Sequence, residues 1–433
     1  RSAAGAAGAG MAISALQASA QVAGANDRVR IGIIGAGKMG RSNMGMFLEQ
    51  PNVEVVALCD VYEPSLHEAL KQLKSKPQTD KDFRRILDRK DVDAVVVSSP
   101  DHWHALQTVM ACQSGKDVYV EKPISVAVEE GRKMVQAARK YNRIVQVGTW
   151  QRSGVHFQRA VKLIRDGVIG KISYVKTWNY SNEYPQGWGN PPDADPLEGL
   201  DWDLWLGPAP KVPFNINRFG ILGDRWATFR YFWDYAGGMM TDWGVHLLDI
   251  VQWAMQVAGP SVVTASGGKF FIQDNRDTPD TLQVTYEYPG WICTYENRVC
   301  NANSMYGKNY GIEFHGTDGT MYLSRSGFEV HPEKRRVGRE KVDMMESSQM
   351  KRVNHGHEAH VPDFLDAMRS RRLPQSDIEI GDRSTNVCHL ANIALRSGRR
   401  IVWDPKRQVL IEGGGEAKKL LSREYRKPWK LEV

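Results

Sequence analysis

Residues 29–40 read VRIGIIGAGKMG. An uninterrupted apolar run ends on Gly35-Ala36-Gly37-Lys38-Met39-Gly40, and a helix-like segment over 38–50 follows. An apolar run without polar alternation is the pattern of a strand buried on both faces, as in a parallel sheet. The same alternation then repeats. EVVALCD (54–60), DAVVVSS (93–99), DVYV (117–120) and IVQVG (144–148) read as strands, and 64–74, 102–114 and 126–141 read as helices between them. Strands that alternate with helices predict a parallel sheet covered on both faces. The expected fold class is α/β, beginning with a Rossmann-type domain at residues 28–149.

The GxGxxG spacing at a strand-to-helix junction has a physical use. The glycines allow a tight turn and let the main chain approach a pyrophosphate, which meets the free N–H groups and positive dipole end of the helix. Asp60 ends the second strand, 20 residues beyond Gly40. A carboxylate there accepts hydrogen bonds from the adenosine ribose hydroxyls and repels a 2′-phosphate. No arginine follows within the next few positions, so NAD is favoured over NADP. Ser99 and Pro100 close the next strand at the edge where ligands of such sheets collect, with His104 just beyond. Gly35, Ala36, Gly37, Lys38, Met39, Gly40, Asp60, Ser99, Pro100 and His104 are therefore candidate cofactor contacts. A glycine turn without nucleotide is the competing reading. His102 and His104, two apart, do not share a helix face, so no metal site is expected.

After Gly148 the texture changes. KISYVKTWNY (171–180), TLQVTYEY (281–288), WICTYENRV (291–299) and YGIEFHG (310–316) alternate polar with apolar, as in an antiparallel sheet with one covered face. Helices are expected near 357–369 and 382–397, and the polar stretch 331–352 as a surface excursion. The second domain is placed at 150–433. With 433 residues, 42% hydrophobic and 25% charged, the chain is an ordinary soluble two-domain composition. A net charge of +7 without long basic blocks gives no footprint for nucleic acid. Five cysteines without a CxxC spacing exclude a disulfide framework or zinc knuckle, although a Cys293–Cys300 bridge is conceivable. Residues 1–27 are rich in Ala, Gly and Ser and read as the later part of a twin-arginine export signal, implying a periplasmic protein. The alternative is an N-terminal arm on a cytoplasmic protein. No run is apolar enough for membrane insertion.

The strand at 117–120 ends in Glu121-Lys122-Pro123. Two charges at the end of a buried strand are costly unless paired, so this strand ends either at the surface or at a site that needs a lysine. GIIGAGKMG, SSPDHWH and VYVEKP, in this order and spacing, resemble the Gfo/Idh/MocA family of oxidoreductases. The resemblance covers nearly the whole chain and includes GGMMTDWGVHLLD (237–249); LDWDLWLGPAP (200–210) and SREYRKPWKL (422–431) are similar to an exported bacterial subgroup. It implies a Rossmann domain followed by an α/β domain built on an open, mainly antiparallel sheet, assembled as a homodimer or homotetramer. It also implies that Lys122 lies beside the nicotinamide and stabilises the alkoxide of the hydroxyl being oxidised, with Glu121 balancing its charge and the Lys122–Pro123 peptide cis.

Asp242 and His246, four apart, share a helix face. The family pattern makes His246 the general base and gives Asp242 the task of holding it or contacting substrate. Nine of the 13 tryptophans (Trp150, Trp178, Trp188, Trp202, Trp205, Trp226, Trp233, Trp243 and Trp253) fall within about a quarter of the chain. Indoles stack on the C–H faces of sugars, although core packing explains most tryptophans taken singly. Gln151, Arg152, Trp178 and Tyr180 are the candidate substrate contacts, with His357 and His360 as weaker ones. The expected activity is an NAD-dependent sugar oxidoreductase. The alternatives are a redox-neutral glycosidase acting through a transient 3-keto sugar and a non-catalytic sugar sensor. An exported enzyme would retain its NAD tightly, because free NAD is scarce outside the cytoplasm.

Overall fold

The computed structural model describes residues 28–221, 227–304 and 307–433. The first domain alternates β1 (Val29–Ile34), α1 (Lys38–Leu48), β2 (Val53–Cys59), α2 (Glu63–Leu70), β3 (Gln78–Asp80), α3 (Phe83–Leu87), β4 (Ala94–Val97), α4 (Asp101–Gln113), β5 (Asp117–Val120), α5 (Val128–Lys140) and β6 (Val145–Val147). The sheet order is β3-β2-β1-β4-β5-β6, and every pairing is parallel. All residues of β4 and β5 are buried, which is why these strands carry no polar alternation. The chain reverses direction across the sheet between β1 and β4, so a crevice opens beyond their carboxyl ends.

The second domain contains α6 (Val155–Arg165), β7 (Ile172–Tyr180), α7 (Trp202–Leu206), α8 (Ile216–Phe219), α9 (Gly238–Met255), β8 (Val262–Gly268), β9 (Thr281–Tyr288), β10 (Trp291–Arg298), β11 (Tyr310–Gly316), β12 (Gly319–Ser324), β13 (Gly327–Pro332), β14 (Lys334–Val337), β15 (Glu340–Asp343), β16 (Ser348–Lys351), α10 (His357–Ser370), α11 (Ile378–Ser397), β17 (Ile401–Asp404), β18 (Val409–Glu412) and α12 (Gly414–Lys419). The large sheet runs β16-β13-β12-β11-β7-β10-β9-β8-β17-β18. It is antiparallel except where β10 meets β7. Alternate residues of β9 and β10 (Leu282, Val284, Tyr286; Cys293, Tyr295) face one core with α6, α9 and α11.

The two lobes are tied together. α10 packs on α1 through Phe364 and Phe47, and α11 packs on α5. The chain end returns to the first domain, where Arg423 pairs with Glu130 and Trp429 stacks on Phe83. The stretch expected as a surface excursion forms the exposed hairpin β14–β15, and β16 joins the sheet edge. Strands β3, β17 and β18 have only three or four residues, too few to show a period. All five cysteines are free, so the conceivable Cys293–Cys300 bridge is not formed; Cys293 is buried inside the sheet core. No helix among the described residues is long and apolar enough to cross a membrane. The export signal or arm expected over 1–27 lies outside the described residues, as does Trp226.

Candidate active site

The carboxyl ends of β1, β2, β4 and β5 line one side of a cavity of about 620 Å³, and the first turns of α9 line the other. At the glycine loop, Gly35 has φ +90°, and a Cβ there would lie 2.6 Å from the Ser99 nitrogen. A Cβ on Gly40 would fall 1.8 Å from the Gly35 oxygen, so the loop closes only with glycine at both positions. Gly37 faces open space, its nearest neighbour for a Cβ being Ile221 at 3.8 Å. It caps α1 without a side chain, which leaves the helix N–H groups directed at the cavity. Asp60 follows β2. Its Oδ2 accepts from the Ala36 amide at 2.7 Å and its Oδ1 from Tyr62 at 2.9 Å, which braces the loop. Burial pushes this carboxyl up to about 6, against the pull of those two amides. A bare helix N-terminus behind a glycine cradle, flanked by a carboxylate on the cavity wall, fits a dinucleotide.

At the end of β5 the Lys122–Pro123 peptide is cis. The Lys122 ammonium reaches across to α9 and donates to Asp242 Oδ1 at 2.7 Å. Arg230 lies 3.2 Å from the same oxygen. Burial alone would raise the Asp242 carboxyl, but Arg230 and Lys122 outweigh it and hold it at about 2. One turn along α9, His246 stands between Trp150 and Trp243, with ring centroids 6.1 Å away on each side. Burial first, then Lys122, Arg325, His357 and Arg230, push the imidazole well below its usual pKa, so it is neutral. Its Nδ1 is buried without a partner among the described residues. A neutral imidazole and an ammonium held one helical turn away, both lining one cavity, are an acid–base pair suited to a hydroxyl.

Residues 29–149 match the model of the oxidoreductase family with an NAD-binding Rossmann fold, and residues 153–288 and 340–431 match that family's C-terminal α/β domain. The chain belongs to the Gfo/Idh/MocA oxidoreductase family. It is 32% identical over 154 residues to a protein named "Glycosyl hydrolase family 109 protein" from Shewanella baltica (strain OS195), a stretch that is 34% of this chain and 34% of that relative. The chain thus spans about a third of that curated relative's length. Among solved structures it is similar to the WlbA dehydrogenase from Bordetella pertussis in complex with NADH and UDP-GlcNAcA (TM-score 0.64, 20% identity, 87% of this chain and 99% of that one). It is equally similar to an aldose-aldose oxidoreductase from Caulobacter crescentus complexed with glycerol (TM-score 0.64, 20% identity, 87% and 99%). At such identity these likenesses show the fold.

In this Gfo/Idh/MocA chain, several residues sit differently from the sequence expectation. Lys122 acts on the Glu121 carboxyl electrostatically, but the two make no direct ion pair. That carboxylate takes the Asn43 amide at 3.0 Å and the Lys122 backbone N–H, and Asp242 is the partner of the ammonium. Asp242 does not hold His246, because two cations compete for its oxygens more strongly than a neutral imidazole does. His104 bridges the Ser99 and Pro123 carbonyls and so ties the loop after β4 to the EKP turn. Gly35, Gly37, Lys38, Met39, Asp60, Ser99, Pro100, His104, Glu121, Lys122, Asp242 and His246 all line the cavity.

None of the four residues expected to contact substrate is among the cavity-lining side chains. Arg152 is buried and bidentate on Asp249 (2.8 and 3.0 Å), holding the start of α6 to α9. Gln151 is buried and accepts from Arg325. Trp178 donates to the Lys308 carbonyl, and Tyr180 lies beneath the Arg298 guanidinium. Trp178 and Tyr180 lie beside Glu296 and Arg298 on the sheet face opposite the core that Val175, Cys293 and Tyr295 share with the helices. Of the weaker pair, His357 reaches the cavity and stacks on Trp150 at 4.2 Å, whereas His360 is spent on Val147 and Ser153. Trp150, Trp188, Trp205 and Trp243 line the cavity. Trp202 stacks on Trp205, and Trp233 and Trp253 lie under arginines. Arg230, Arg325 and Glu183 join the site without any sequence signal beyond their charge, since none stands in a motif spacing; Asp101 also joins it, and its signal was its place within SSPDHWH.

Asp101, the first residue of α4, lines the same cavity. Burial pushes its carboxyl up to about 7 against Arg230 and Lys122, with Asp242 adding to the rise. Its folded pKa exceeds the unfolded value near 4, so its contribution to stability is complete below about pH 4 and is lost as pH rises to about 7. Asp101→Asn is expected to stabilise the cofactor-free protein at pH 8 by up to about 4 kcal/mol, and by about a third of that at pH 5. Thermal melts at the two pH values check this; a gain independent of pH would contradict it.

Proposed function

We propose that this protein is an NAD-dependent oxidoreductase that moves a hydride between a hydroxyl-bearing carbon of a sugar or sugar derivative and the nicotinamide. The observation that carries this reading is that the Lys122 ammonium and the neutral His246 imidazole both line the cavity that also holds the glycine loop and Asp60. Bound NAD supplies the hydride acceptor. His246 takes the hydroxyl proton, and Lys122 stabilises the alkoxide that develops. Asp242, shared by Lys122 and Arg230, fixes the position of the ammonium. Gly35, Ala36, Gly37, Lys38, Met39, Gly40 and Asp60 hold the dinucleotide, with Ser99, Pro100, His104 and Glu121 around its nicotinamide end. The tryptophans on the cavity wall, Trp150, Trp188, Trp205 and Trp243 among them, suit the C–H faces of a sugar. The proposed protein retains its NAD between turnovers, works as a homodimer or homotetramer, and is exported.

A second reading is a redox-neutral glycosidase, in which the ketone is transient and NADH returns its hydride. It is favoured by the glycosyl hydrolase family 109 name of the Shewanella relative. Protein purified without added cofactor is expected to show the ultraviolet absorbance of bound nicotinamide. A sugar panel then separates the readings: net NADH formation marks the dehydrogenase, and aglycone release without net NADH marks the glycosidase. A protein that binds neither NAD nor NADH refutes both.

A further inference from the structure

We propose that the substrate of this cavity carries a carboxylate and that Arg325 is the specificity-determining residue that binds it; this deepens the oxidoreductase reading and rests on it. Arg325 follows β12 at the hairpin into β13 and lines the catalytic end of the cavity. Its guanidinium carbon lies 4.8 Å from the Trp150 ring centroid and 4.7 Å from that of Trp243. These are the same two indoles that flank His246. Stacked on two rings, the planar fork is fixed in direction.

Among the described residues the fork binds no protein anion. Among the described residues its one hydrogen bond is a long contact from Nε to Gln151 Oε1 at 3.4 Å, and no carboxylate lies within ion-pair distance. Asp242 is the carboxylate that acts on it electrostatically, and that group is already shared by Lys122 and Arg230. Glu183, on the far wall, is engaged by Arg276 at 2.6 Å and by the Tyr231 hydroxyl at 2.8 Å. The catalytic end gathers Lys122, Arg230 and Arg325; Lys122 and Arg230 share Asp242 and also act on Asp101, and Lys122 on Glu121, whereas Asp242 alone among the described carboxylates acts on Arg325, and His246 and His357 are held neutral by burial. Arg325 is half-buried, and a cation that loses part of its hydration without a counter-charge is disfavoured. A ligand carboxylate offsets that cost, and the guanidinium geometry matches it with two parallel N–H donors.

The test uses the full chain and matched ligands: D-glucuronate and D-galacturonate against glucose, galactose and their 6-phosphates. Binding is followed by tryptophan fluorescence, which Trp150 and Trp243 report whether or not turnover occurs, and turnover is followed by nicotinamide absorbance. The uronates are expected to bind about 10- to 100-fold more tightly than the neutral parents, the range for a charge-assisted pair. Arg325→Met is expected to abolish that preference while NAD affinity is retained, and salt is expected to weaken only the uronates. Equal or tighter binding of neutral sugars, a preference for the phosphates, no uronate binding, or a preference that survives Arg325→Met would each overturn the proposal. The salt and ligand series on the wild-type chain decides the matter even if the variant does not fold. Tight uronate binding without any nicotinamide reduction keeps the carboxylate site and removes the oxidoreductase reading. Turnover of neutral sugars with no anion preference does the reverse.

Discussion

Lys122→Met is expected to lower kcat/KM by about 10²- to 10³-fold or more, on whichever sugar the chain turns over, while NAD affinity changes by no more than about threefold. The size follows from the environment. The lysine side chain is 13% exposed and donates to Asp242 at 2.7 Å, so its charge acts in a site largely cleared of water, where it counts for more than in solution. The substitution does not leave Asp242 stranded, because Arg230 remains 3.2 Å from the same oxygen. The fold is therefore expected to survive, and the loss belongs to the chemical step rather than to unfolding. Methionine keeps the length and apolar stem of the side chain. Steady-state kinetics beside a nucleotide titration and a thermal melt separate the effects. A variant within tenfold of wild type would remove Lys122 from the chemistry.

His246→Gln should cost about 10²- to 10⁴-fold in kcat, the range for a positioned general base. The pH dependence is the sharper readout. The base works when neutral, and burial together with Lys122, Arg325, His357 and Arg230 keeps it neutral well below pH 6.5. Activity is therefore lost only as pH falls through that depressed value, and no acid limb is expected at 6.5 itself. A shoulder near pH 7 belongs to Asp101, whose carboxyl is pushed up to about 7 in the same cavity, and should vanish in Asp101→Asn. A wild-type acid limb at or above 6.5 that persists in Asp101→Asn would rule out a neutral, buried His246 as the base. The same depression acts on stability. A histidine with a lowered folded pKa leaves the unfolded chain binding more protons, so its contribution falls as pH drops below about 6.5.

Much of this site could be read from local chemistry. The glycine loop was legible because turn geometry restricts residue type: Gly35 needs positive φ, and Gly40 leaves no room for a side chain. Asp60 was legible by its position at the end of β2. Lys122 stood out as a charge closing a strand that is buried throughout. The four residues proposed to contact substrate were misplaced for a common reason. Residues adjacent in sequence to a motif need not face it, and Gln151, Arg152, Trp178 and Tyr180 turn into packing or ion pairs instead. Arg152 shows the cost that decides such cases: Asp249, 1% exposed, would be a lone buried charge without it.

Sequence alone determined most strands and helices of the first domain, the longer strands of the second and where the nucleotide loop lies. Those features follow from periodicity, turn chemistry and burial, which act over a few neighbouring residues, whereas the roles of Lys122 and His246 were implied by the family resemblance. Only the tertiary structure decided who pairs with whom: Asp242 with Lys122, 120 positions away, rather than with His246 one turn along its own helix, and Arg325 with two indoles rather than with an acid. The physical reason is competition. A carboxylate goes to the strongest cation within reach, and which cations are within reach is set by how two separately folded sheets are packed against each other.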